Sequence, residues 1–165
     1  MEPHLLERAR RIRLLVLDVD GVLTDGKLHI TAHGEVVKVF HVRDGSGVVA
    51  LRRAGITVAI ISGRDSAAVT HRARELGIEH VRQGIADKGA ALDALCTELK
   101  LARDEVACVG DDTPDIPLFE RAGIAIAVAD AHPEAAARAH WITQARGGHG
   151  AVREICDLLL AARAS

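Results

Sequence analysis

Arg13–Asp25 reads RLLVLDVDGVLTD, and its first half decides the fold. A continuous run of Leu and Val with no polar alternation marks a strand buried on both faces, the habit of parallel sheets. Ile56–Ser62 (ITVAIIS) and Glu105–Gly110 (EVACVG) repeat the pattern, and His80–Gln83 and Ile124–Val128 are shorter versions. Between them, Gly45–Ala54, Asp65–Leu76, Asp87–Leu101 and Pro114–Ala122 read as helices, with Gly55, Gly77 and Gly123 just past three of them as left-handed caps. Strands separated by single helices predict an α/β fold, a doubly wound Rossmann-like parallel sheet with right-handed crossovers.

One segment breaks the alternation. Lys27–Thr31 (KLHIT) and Glu35–Val42 (EVVKVFHV) flank Ala32-His33-Gly34 and predict a β-hairpin over about 27–42. An isolated two-stranded ribbon is marginal in water, so its Leu28, Ile30, Val37, Val39 and Phe40 are expected to pack on the domain or on another copy of the chain. The remainder reads as one domain over 1–165, closed by a tail helix over about 148–163 whose apolar face is Ala151, Val152, Ile155, Leu158 and Leu159.

Composition narrows the function. With 21 Lys and Arg against 23 Asp and Glu, a net charge of −2, and only Phe40, Phe119 and Trp141 as aromatics, the chain lacks the cations and stacking platforms of a nucleic-acid binder. The three cysteines, Cys96, Cys108 and Cys156, are dispersed without a C-x-x-C pair, which suits a reducing compartment. No run approaches the roughly 20 apolar residues of a membrane span, so no membrane partner and a cytoplasmic location are expected.

Ligands of open parallel sheets bind outside the carboxyl ends of the strands. Those ends carry Asp18-Val19-Asp20-Gly21, Ser62-Gly63-Arg64 and Gly110-Asp111-Asp112, while Lys88 opens the helix after His80–Gln83. Asp18 and Asp20 stand two residues apart where the apolar run ends, and Gly21 permits a turn there that lets both meet one ligand. So much negative charge calls for a hard divalent cation such as Mg²⁺, which takes one or two carboxylates plus phosphate and water oxygens. Ser62, Lys88 and the backbone N–H groups near Gly63 are then donors for a phosphate.

The set Asp18-Val19-Asp20-Gly21-Val22-Leu23-Thr24-Asp25, Ser62, Lys88 and Gly110-Asp111-Asp112-x-x-Asp115 resembles the four motifs of the haloacid dehalogenase-like phosphotransferases, in order and over nearly the whole chain. The resemblance implies that Asp18 is a nucleophile forming an aspartyl-phosphate and that Asp20 is the general acid/base. It assigns Mg²⁺ to the Asp18 carboxylate, the Asp20 backbone carbonyl and Asp111, and the transferring phosphoryl group to Ser62 and Lys88. Asp112 is expected to orient Lys88 or a metal-bound water, and Asp115 to be structural. Dehalogenase members lack the second aspartate of the first motif, so Asp20 favours phosphate chemistry.

DVDGVLTDGKL, VRDGSGV, SGRDS, GDDTPDIP, AVADAHP and GGHGAVREICDLLL are similar to the branch of that family acting on the 8-phosphate of an eight-carbon 2-keto-3-deoxy sugar acid of bacterial lipopolysaccharide. Neither gap between motifs is long enough for a cap domain, so a homo-oligomer whose neighbouring subunits complete the site is expected, and the resemblance implies that it is a homotetramer. A phosphorylated keto-acid sugar needs cations for its carboxylate, with Arg64 first, then Arg43, then Arg146 ahead of a flexible Gly147-Gly148; Thr24 and Asp25 are open between turn-capping and substrate contact. Two alternatives stand beside this reading: a nine-carbon 9-phosphate as substrate, and a phospho-accepting receiver-like signalling domain.

Overall fold

A strand that is apolar at every position needs a hydrophobic layer on each side. The computed structural model, which describes residues 3–164, gives the first strand both layers. Its elements run α1 (Pro3–Arg10), β1 (Leu14–Leu17), β2 (His29–Thr31), β3 (Gly34–Val37), α2 (Val42–Arg53), β4 (Thr57–Ile61), α3 (Ala67–Leu76), β5 (His80–Arg82), α4 (Lys88–Leu99), β6 (Val106–Gly110), α5 (Ile116–Phe119), β7 (Ile124–Ala127), α6 (Pro133–Ala136), β8 (Trp141–Ile142) and α7 (Ala151–Ala164). Six strands form an all-parallel sheet in the order β5-β4-β1-β6-β7-β8. Leu15 and Leu17 of β1 enter the core shared with α2 and α7; Leu14 and Val16 enter the opposite core, shared with α4 and α5.

This order places the site. From β1 the chain winds outward through β4 and β5, then returns to β6 on the other side of β1. The carboxyl ends of β4, β1 and β6 therefore lie side by side at the switch point, where a crevice opens. Among the described residues no cap domain is inserted: between β1 and β4 the chain builds only the hairpin and α2, and between β4 and α4 only α3 and β5.

Several boundaries differ from the sequence reading, each for a local reason. β1 stops at Leu17 rather than Asp20, because the chain turns back on the Val19 carbonyl, which accepts from the N–H groups of Val22, Leu23 and Thr24. α2 starts at Val42, three residues before Gly45, capped by His41 Nδ1 accepting from Arg43 N–H. The expected helix over Pro114–Ala122 is a 3₁₀ turn (Thr113–Asp115) followed by the four residues of α5. The hairpin ladder ends at Val37, so residues 38–41 form an arm leading to α2. α7 begins at Ala151 because Gly148 (φ +70°) and Gly150 (φ +105°) hold left-handed backbone just before it. The sequence reading assigns no helix to α1 and no strand to the two-residue β8. No described helix is long and apolar enough to cross a membrane.

Candidate active site

The loop after β1 winds around one hydroxyl. Thr24 is buried, and its Oγ1 accepts from the N–H groups of Gly21 and Gly26 while donating to the Val19 carbonyl. Gly21 has φ +89°, and a Cβ there would stand 2.0 Å from Asp111 Oδ2. Gly21 thus both makes the turn and lets the Asp111 carboxylate lie against the backbone of the first motif. From this loop Asp18 points into the protein and Asp20 toward its edge, and both line a cleft of about 340 Å³ with Ser62, Gly63, Arg64, Lys88, Asp111 and Asp112.

The inner part of the cleft is a closed ion network. Lys88, the first residue of α4, is buried, and its Nζ donates to Asp18 Oδ1 at 2.9 Å and to Asp115 Oδ1 at 2.6 Å. Asp115 Oδ2 accepts from the N–H groups of Asp111 (2.9 Å) and Asp112 (3.3 Å), so both of its oxygens are committed. It is therefore Asp115, not Asp112, that orients Lys88; the Asp112 carboxylate turns back to accept from Thr113 N–H. The close packing depends on Gly110, whose Cβ would meet the Asp115 Cβ at 2.4 Å.

Electrostatically this wall is short of positive charge. Burial raises Asp18 to about 6, with Asp115 adding to the rise and Lys88 opposing it. Burial raises Asp111 to about 7, reinforced by Asp18, Asp115 and Asp112. Burial pulls Lys88 down, but Asp18 and Asp115 outweigh it and its ammonium is held more firmly than usual. Asp18, Asp111 and Asp115 each offer an oxygen within 4.8 Å of the others. With Asp115 spent on Lys88 and the backbone, Asp18 and Asp111 are the carboxylates left for a cation, and oxygen donors alone suit a hard one.

The outer part is built differently. Asp20 Oδ1 meets Lys38 Nζ at 2.5 Å and its Oδ2 lies 3.6 Å from Arg64 Nε. Arg64 is half exposed at the mouth of the cleft. Lys38 had no signal in the sequence: within EVVKVF a lysine reads as a solvent-facing residue of an alternating strand.

The other sequence-nominated cations lie outside the cleft of their own chain. Arg43 is exposed in the first turn of α2 and is not among the lining residues. Arg146 is exposed and pairs with Asp130 at 3.7 Å. The Gly147-Gly148 pair after it is docked rather than loose, since Gly148 N–H donates to Val22 O and a Cβ on Gly147 would stand 1.6 Å from Gly21 O. Thr24, with its hydroxyl spent on the turn, is a loop former, and the Asp25 carboxylate accepts from Lys27 N–H.

Residues 80–155 match the haloacid dehalogenase-like hydrolase family. Over 163 residues the chain is 48% identical to the 3-deoxy-D-manno-octulosonate 8-phosphate phosphatase KdsC of Salmonella typhimurium, covering 99% of this chain and 87% of that protein. The crystal structure of the Moraxella catarrhalis 3-deoxy-D-manno-octulosonate 8-phosphate phosphatase, in complex with magnesium, phosphate and KDO, superposes with a TM-score of 0.96 at 41% identity, covering 99% of this chain and 94% of that one. The cobalt-bound Haemophilus influenzae deoxy-D-mannose-octulosonate 8-phosphate phosphatase gives 0.93 at 40% identity, with 95% and 92% covered.

Proposed function

The chain belongs to the 3-deoxy-D-manno-octulosonate 8-phosphate phosphatase family of haloacid dehalogenase-like hydrolases, and from that premise we propose how its residues carry the reaction. It is an Mg²⁺-dependent phosphoric monoester hydrolase that releases phosphate from the 8-position of this eight-carbon keto-acid sugar, a step of lipopolysaccharide biosynthesis. The observation that carries the reading is the buried Asp18, locked by Lys88 with one face on the cleft it shares with Asp20.

An Asp18 carboxylate oxygen attacks phosphorus as the bond to the sugar oxygen breaks, and Asp20 gives that oxygen its proton. Water then attacks the aspartyl-phosphate, Asp20 takes the water proton, and the bond to Asp18 breaks, restoring the carboxylate and releasing phosphate. A positioned acid/base of this kind contributes about 10²–10⁴-fold. Lys88, Ser62 and the Gly63 backbone hold the phosphoryl oxygens and offset their charge. The Asp18 and Asp111 carboxylates and the Asp20 backbone carbonyl hold Mg²⁺, which supplies Lewis-acid polarisation of a phosphoryl oxygen. Arg64 reaches the substrate carboxylate.

The test is phosphate release from a panel of sugar phosphates with and without Mg²⁺. Asp18→Asn is expected to lower turnover about 10⁴-fold or more, as loss of a nucleophile does. Undiminished release by that variant would overturn the assignment, and a preference for nine-carbon 9-phosphates would move the substrate.

The enzyme works as a cytoplasmic homotetramer. The three unpaired cysteines support the compartment. The oligomer is supported by Leu28, Ile30, Val37 and Val39, exposed on and beside a hairpin over a capless site, where an open cleft would leave the acyl-phosphate wet. Ile30→Asp with Val39→Asp should yield monomers by light scattering and lower sugar-phosphate turnover about tenfold or more, a loss consistent with misplacement of a site component. Monomers of full activity would sink the tetramer.

A further inference from the structure

Lys38 is a buried lysine to which the mechanism above gives no part. Its side chain is 2% exposed, against 74% for Lys27 on the same segment. Lysines are almost never so enclosed unless paired. Its partner is Asp20, met at 2.5 Å on Oδ1, while Arg64 stands off the other oxygen at 3.6 Å. The arm that carries Lys38 is anchored two residues on, where Phe40 packs against the core around α2 and α7 and the Arg72 guanidinium lies 6.0 Å over its ring. An anchored backbone, a buried stem and a charge-assisted contact together give the ammonium one place to be.

Asp20 needs such a partner. It sits on the turn after β1, beyond the last ladder position of that strand, so no sheet register fixes its carboxylate. We propose that Lys38 is a positioning residue that aims the Asp20 carboxylate for the water-attack half of the reaction. This rests on the reading of Asp20 as acid/base. The two halves differ in how much aim they need. In the first, the leaving oxygen is bonded to phosphorus and arrives already placed. In the second, water has no such tether, and its line of approach is set by the base that holds it.

Rapid-quench measurement on Lys38→Met with p-nitrophenyl phosphate tests this, because that good leaving group needs no protonation. Steady-state turnover should fall about 10–100-fold, part of the acid/base contribution, while the burst of nitrophenolate slows no more than about threefold, because transfer to Asp18 with this leaving group does not draw on Asp20. Acid-trapped phosphoenzyme should rise several-fold toward one per site, and Lys38→Arg should return most of the turnover. A merely structural lysine would lower both phases alike or reduce the active fraction, and an unchanged phosphoenzyme level in a folded variant overturns the proposal. If Met disrupts the arm, Lys38→Gln takes the same measurement. Asp20→Asn separates the premises. Accumulation there but not in Lys38→Met removes Lys38 alone, whereas no accumulation in Asp20→Asn removes the acid/base reading itself.

Discussion

The cleft has two walls made in different ways. On the inner wall Asp18, Lys88 and Asp115 are 6%, 5% and 1% exposed, and each grips the next across elements far apart in the chain. On the outer wall Asp20 meets Lys38 from the hairpin arm and Arg64 from the loop after β4, with Arg64 about half exposed. On the proposed reading the inner wall would hold what every phosphate ester shares, and β1, paired with β4 on one side and β6 on the other, places Asp18 in it. The outer wall, on the same reading, would meet what differs between esters, and loops assemble it.

Lys88→Met should break the inner wall with the largest effect on stability and a large one on rate. It leaves Asp18 and Asp115 buried without their cation, and an uncompensated buried charge costs about 3–5 kcal/mol. For a chain of this size that corresponds to a fall of roughly 10 °C or more in thermal midpoint. Turnover should fall about 10²–10³-fold with the lost phosphoryl stabilisation. A variant that melts within a degree or two of the parent would show that the network is not as dry as its burial indicates.

The same division explains what could be read from the sequence. Asp18, Ser62, Lys88 and Asp111 lie at or beside the ends of apolar runs or the starts of helices, so one rule about strand ends gathers them. Asp115 was visible in Gly110-Asp111-Asp112-x-x-Asp115, but its grip on Lys88 depends on a 3₁₀ turn that the two prolines hide within an apparent helix. Lys38 was illegible because its burial comes from an arm leaving the hairpin, and periodicity gives that departure no mark. Arg43 and Arg146 stood behind Arg64 as candidates, nominated because sequence adjacency to a glycine turn does not tell which side of the turn meets the cleft. The Gly147-Gly148 pair reads as a hinge, yet its missing side chains serve close contact with the Gly21–Asp25 loop.

Arg64→Ala should sharpen the comparison with a mid-sized, selective effect. As a half-exposed residue whose Asp20 contact is long, its removal should change stability by no more than about 0.5 kcal/mol. Its kcat/KM for the keto-acid sugar phosphate should fall about tenfold or more, while that for a small aryl phosphate moves less than about threefold, because the aryl ester offers no carboxylate to lose. Equal losses on both substrates would assign Arg64 to the framework of the cleft.

The smallest effect, a few degrees in thermal midpoint, lies in the pH dependence of stability and belongs to the inner wall alone. Burial, with Asp115, raises Asp18 to about 6, and burial, with Asp18, Asp115 and Asp112, raises Asp111 to about 7. Between the ordinary carboxylate range and pH 7 the folded chain therefore holds protons that the unfolded chain has released. Stability contributed by these two groups then falls as pH rises, because its slope follows protons bound unfolded minus protons bound folded. On the proposed assignment Mg²⁺ would bind the ionised pair and oppose that loss, so the ion should raise the thermal midpoint by more at pH 8 than at pH 5.5, and Asp111→Asn should shrink the difference. Scanning calorimetry with Mg²⁺ against EDTA at the two pH values reads it directly. An equal gain at both would mean that these carboxylates are already ionised in the metal-free fold, and that the inner wall is as open to water as the outer one.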